Sequence, residues 1–288
     1  MPILLGLMER SIIPSSTLRI EPLGGQDAAP FRFVVIHDVI YCLNIILVLT
    51  VILTAWLAKL QRSSTWYGAA STVITSAVAN MLLLGRQSGV SPSFGLCLTQ
   101  AALIYSIVVL DSFYALTFIL EAYVTIQVTL LAARAPSRYV TLLYHALPWT
   151  SFSGALVGIF IYGLNNDSTI QVSTTGMYCH MTSTAPGGIV AGVGIICMIG
   201  IATLEALIIM TLRRISGSWK ALFRNDACIA PGSMIRVILF SIAPLLAIVV
   251  SAAQFAETTA KQNAYLEILL ASSDFIVMHM QALIDERI

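Results

Sequence analysis

Residues 110–127 read LDSFYALTFILEAYVTIQ, an apolar run broken by only two charged side chains, Asp111 and Glu121. The run sits inside a longer apolar stretch, 94–130, and roughly 20 predominantly apolar residues suffice to cross a bilayer as a helix. A carboxylate at the bilayer centre costs at least ~2.5–3.5 kcal/mol on insertion scales. What each acid does therefore depends on how deep it lies.

The rest of the chain reads in the same way. Of its 288 residues 58% are hydrophobic and 10% charged, and the mean hydropathy is +0.88. That is more apolar surface than one water-soluble core can bury, so the chain is expected to be an all-α integral membrane protein. Seven spans are expected, at 33–58, 67–86, 94–130, 140–164, 187–213, 233–256 and 263–285. A segment 1–32 with turn residues Pro14, Pro22, Gly24, Gly25 and Pro30 precedes the bundle 33–288. The PILLGLM run near the start is short and has no basic region before it, so it does not read as a cleavable signal.

The basic residues orient the bundle. Lys59 and Arg62 follow span 1, Arg134 and Arg138 follow span 3, and Arg213, Arg214, Lys220, Arg224 and Arg236 surround the connection after span 5. The other side carries Arg86 and Lys261, and Arg10, Arg19 and Arg32 in the leading segment are offset in part by Glu9, Glu21 and Asp27. The positive-inside rule then places the N-terminus outside and the C-terminus in the cytoplasm of a multi-pass plasma-membrane protein.

On that topology two of the five cysteines face the oxidising side: Cys97 at the start of span 3 and Cys179 in the loop before span 5. A bridge between them is expected to pin the loop to span 3. The same loop holds Asn166-Asp167-Ser168, a glycosylation acceptor triplet.

Counting from Cys97 at about 1.5 Å per residue, Asp111 lies about 21 Å and Glu121 about 36 Å down the helix. Glu121 thus approaches the cytoplasmic boundary, within reach of Arg134 or Arg138, while Asp111 stays deep and needs partners. Asn44, Asn80 and Asp274 fall at comparable depth, so these four side chains are expected to share a polar layer or an ion site, with a sodium ion the one cofactor such a layer admits. The alternative is that Asn44 and Asn80 only join neighbouring helices. Gln100, Tyr105, Gln254 and Glu267 are expected to line a cavity opening outward. Pro148 and Pro244 are expected to kink spans 4 and 6.

Seven spans, a cysteine opening span 3 and a second cysteine before span 5 resemble the rhodopsin-like G-protein-coupled receptors, in the divergent form carried by fungi. Glu121-Ala122-Tyr123 falls where that family keeps its acidic-Arg-Tyr switch; Asn44, Trp149 and Pro244 match its span 1 asparagine, span 4 tryptophan and span 6 proline. Asn80 stands where its span 2 acid would be, Asp111 near its sodium pocket, and Asp274 at its span 7 motif. The sequence departs from the family at Ala122, at Ile242, and at Asp274-Phe275-Ile276-Val277-Met278, which lacks proline and tyrosine.

The resemblance implies a cell-surface receptor that transmits binding of an extracellular small molecule or peptide to a heterotrimeric G protein. Glu121, Tyr123 and Pro244 would form its switch. An integral-membrane enzyme is the alternative, such as a small terpene cyclase using Asp111, Glu205, Glu267 or Asp274 as the acid and nearby aromatics to stabilise a carbocation. A transporter would favour internal repeats, and none is visible. No metal-ligand spacing, phosphate loop or nucleophile elbow occurs. The basic residues are accounted for by topology, which leaves no footprint for nucleic acid.

Overall fold

The computed structural model describes residues 31–59, 63–87, 92–131, 137–173 and 176–216. Helix makes up 86% of them. Spans 6 and 7, and with them Pro244, Gln254, Glu267 and Asp274, lie outside the described residues, as do residues 1–30.

Five helices follow in order: α1 (Phe31–Leu57), α2 (Ser64–Asn80), α3 (Phe94–Leu131), α4 (Arg138–Asn165) and α5 (Thr184–Ser216). A short antiparallel hairpin, β1 (Ile170–Val172) and β2 (Cys179–Met181), joins α4 to α5. Among the described residues four helices, α1, α3, α4 and α5, are long and apolar enough to cross a membrane, which marks the chain as a helical membrane protein. Their outward faces agree: Ile46 and Trp56 on α1, Leu142 and Val157 on α4, and Ile196 and Ile199 on α5 are well exposed. Such broad apolar exposure suits a hydrocarbon surround and would be a liability in water.

The long helix α3 is the hub, packed against α2, α4 and α5, while α1 leans on α2. Cys97, Leu98, Ala101 and Ala102 of α3 form the best-buried cluster, with Ile159 of α4, Ile170 and Met181 of the hairpin, and Val190 of α5. Small residues make these approaches possible. Gly163 faces Leu98 and Met181 so closely that a β-carbon there would collide with both. Gly68 of α2 likewise admits the ring of Tyr114, which meets Trp149 edge-on at 6.4 Å between centroids.

Span 2 departs most from the expectation of 67–86. The helix starts earlier, at Ser64, because the Ser63 hydroxyl caps it by accepting the Trp66 N–H at 3.3 Å. It also ends earlier, at Asn80, passing into a 3-10 turn (Met81–Leu83) and then Gly85 at φ +76°. Hydropathy alone placed the span too far along, since the polar Ser63-Ser64-Thr65 run is part of the helix start and the apolar Met81-Leu82-Leu83-Leu84 run is not α-helical. α4 runs from Arg138 to Asn165 with Pro148 inside it.

Candidate functional site

Two polar assemblies stand at opposite ends of the α2–α3 pair, and a third contact lies between them. The first belongs to the hairpin. Cys97 and Cys179 are joined by a disulfide, with Cα atoms 5.3 Å apart and both residues buried. One turn further along α3, Gln100 is fully buried. Its amide nitrogen donates to the carbonyl oxygens of Ala79 (3.1 Å) and Asn80 (3.3 Å), and its oxygen accepts the Cys179 N–H at 2.9 Å. The Tyr105 hydroxyl donates to the Met181 carbonyl at 3.4 Å. Gln100 and Tyr105 were expected to line an open cavity. Gln100 instead braces the hairpin against the end of α2, and Tyr105 supports β2 from beneath.

The hairpin's alternation explains its seating. Ile170, Cys179 and Met181 face the helices, while Gln171 and His180 are paired across the strands on the other face. The tip turns at Gly176 (φ +76°), and Met177 packs on Phe33 and Val34 of α1. Gln87, in the α2–α3 connection, donates to Asp38 of α1 at 2.9 Å, and the His37 ring approaches the same carboxylate at 3.4 Å. Three separate parts of the chain thus meet at this end. His180 carries a buried Nδ1 with no hydrogen-bond partner, and burial lowers its pKa from the usual 6.5. A period-two reading of IQV and CHM about Gly176 would have found these strands.

In the middle of the pair, Asp111 lies beside the Thr72 hydroxyl. Asn80 is eight residues beyond Thr72, about 12 Å of helical rise, and its side chain donates to Ser76 of its own helix at 2.9 Å. The expected shared layer of Asn44, Asn80, Asp111 and Asp274 is therefore corrected at Asn80, which belongs to the hairpin end. The mistake followed from placing span 2 too late. Asn44 is buried on α1, against α2.

At the far end the Thr65 hydroxyl donates to the Glu121 carboxylate. Ser63 also reaches Glu121, and its hydroxyl lies 2.8 Å from that of Thr65. Ser64 and His145 Nε2 of α4 are 2.6 Å apart. Arg134 and the Arg138 side chain, expected within reach of Glu121, lie outside the described residues; among those residues the carboxylate meets the hydroxyls that open α2. Tyr123, two residues on, faces the opposite way and packs with Ile119, Ile201 and Ile208 between α3 and α5. Glu121 and Tyr123, expected to act together as a switch, thus contact different helices.

Asn166 caps α4, its amide nitrogen donating to the Tyr162 carbonyl at 3.0 Å, and Tyr162 and Ser183 hydroxyls meet at 2.7 Å. Trp149 packs on Phe152 and Tyr114. Among the described residues no group of three or more His, Cys, Asp or Glu side chains is arranged to hold a metal ion. A comparison with protein-family models found no match, and neither did a comparison with curated proteins.

Proposed function

We propose that the chain is a seven-helix cell-surface receptor with its hairpin end outside the cell. It passes ligand binding at that end to a cytoplasmic partner, and by resemblance that partner is a heterotrimeric G protein. The observation that carries the reading is the Cys97–Cys179 bridge, which needs an oxidising compartment and ties a hairpin across the central helix. The charges support the same orientation: exposed Lys59, Arg213 and Arg214 stand at the end opposite the hairpin, against Arg86 near it. A roof seated on α1 and α3 and continuous with α4 and α5 couples anything that moves it to four helices at once.

The test is reconstitution of the full chain in lipid vesicles with heterotrimeric G protein, measuring guanine-nucleotide exchange while small molecules and peptides are screened on the hairpin side. Exchange above that of empty vesicles, stimulated by a molecule that also raises the chain's thermal stability, is the expected result. Exchange at the empty-vesicle level under every condition would refute coupling to G proteins.

A further inference from the structure

Toward the hairpin end of the bundle, α3 and α4 part to leave a crevice of about 290 Å³. Thr99 and Leu103 of α3 form one wall, and Leu156, Val157, Phe160 and Ile161 of α4 form the other. Its size stands near the lower end of the ~300–1,000 Å³ found for small-molecule sites. The crevice is continuous with the lipid-facing surface, because Val157 and Ile161 on its rim belong to the exposed apolar face of α4. What fills it therefore comes from the bilayer.

The lining is graded along the helices. Thr99, the one polar residue in it, stands at the hairpin end, two residues past the bridged Cys97. Its hydroxyl donates to the Gly95 carbonyl at 2.7 Å, so its hydrogen is committed while its oxygen can still accept. Gly95, one turn above on the same face, has nothing within 4 Å of the place a β-carbon would take, which keeps the mouth open toward water. Leu103, about 6 Å of helical rise below Thr99, faces Leu156 and Val157 in a part of the crevice made of hydrocarbon alone. One turn below Val157, Gly154 is equally unobstructed, so the α4 wall continues smoothly toward the bilayer centre.

The matching ligand carries one hydrogen-bond donor at the end of a compact apolar body. A phosphatidylcholine headgroup offers acceptors only, which Thr99 cannot serve, and a flexible acyl chain loses rotational freedom on being held, whereas a rigid ring system loses little. From this geometry we infer that the α3–α4 crevice binds a membrane sterol, with the sterol hydroxyl donating to Thr99 Oγ1 and the rings lying against Leu103, Leu156 and Val157. The site needs a bilayer and these two helices, and it stands whether or not the chain couples to a G protein.

The test uses the full chain in phosphatidylcholine nanodiscs containing a cholesterol analogue with a photoreactive diazirine on its rings, the crosslinked peptides being mapped by mass spectrometry. Crosslinks are expected to concentrate on the segments holding Leu103, Leu156 and Val157 and to be competed by unlabelled cholesterol. Thr99→Val should lower the labelling about five-fold, the change expected from losing one hydrogen bond between neutral groups, and Thr99→Ser should restore it. Val157→Phe, at an exposed position where the larger ring displaces no packed neighbour, should fill the crevice and abolish the crosslinks without lowering the unfolding temperature. Crosslinks as dense on the exposed faces of α1 and α5 as on α3 and α4, or unchanged by Val157→Phe, would overturn the site. An analogue with its hydroxyl methylated that labels as well as the parent would overturn the bond to Thr99, and with it the selection of a sterol over any other hydrocarbon.

Discussion

Gln100 is the residue whose removal tests the architecture of the hairpin end most directly. Gln100→Met keeps the length and much of the volume of the side chain and deletes its polar atoms. The Cys179 N–H then loses its acceptor in a site with no exposed surface, which costs about 1–3 kcal/mol for an unsatisfied buried donor. The Ala79 carbonyl keeps the Met81 N–H as a partner, so at this side the main loss is the bond to Asn80, about 1 kcal/mol. The expected destabilisation is about 2–4 kcal/mol, large for one side chain. Gln100→Glu, which accepts from Cys179 but offers no N–H to the two carbonyls, should be destabilised as well. Chemical unfolding in mixed micelles gives the magnitude, and amide exchange at Cys179 and Met181 reports whether the hairpin loosens first. If Gln100→Met unfolds within about 0.5 kcal/mol of the parent, the range of an ordinary surface substitution, then the Gln100 brace does not secure the hairpin against α2.

Other expectations follow from the same contacts. Cys97→Ser and Cys179→Ser should each cost about 2–4 kcal/mol, and the double variant should cost no more than either; additive losses would mean that the bridge is not formed. Gly163→Ala should cost about 1–3 kcal/mol by overpacking, and Leu98→Ala in the same chain should recover part of it, readable as a rise in unfolding temperature. His180, held neutral by burial in the fold, binds a proton more readily when unfolded. Stability should therefore fall as pH drops below about 6.5, down to the lowered folded value, and be independent of this group at higher pH. His180→Phe should flatten that limb of the stability profile, and an unaltered profile would show that the imidazole is not the group responsible.

The helices α1, α3, α4 and α5 were legible within three residues at each end, because each is a long apolar stretch and the length needed to cross a bilayer leaves little freedom. The cysteine pair was legible too, since the topology expected from the basic residues puts only Cys97 and Cys179 on one side, and the two are bridged. What failed was depth. Asn80 looked like a partner for Asp111 because hydropathy centres a span on its apolar residues. The true ends of α2 are set instead by the Ser63 cap and by the turn before Gly85.

Composition and charge order by themselves determined that this chain lives in a membrane, and gave the directions its helices were expected to run, because both follow from transfer free energies summed over many residues. Which polar groups meet was decided only in three dimensions. A hydrogen bond between Gln100 and Asn80, or between Thr65 and Glu121, depends on helix register to within a fraction of a turn, and register comes from close packing such as Tyr114 against Gly68 rather than from any local pattern in the sequence.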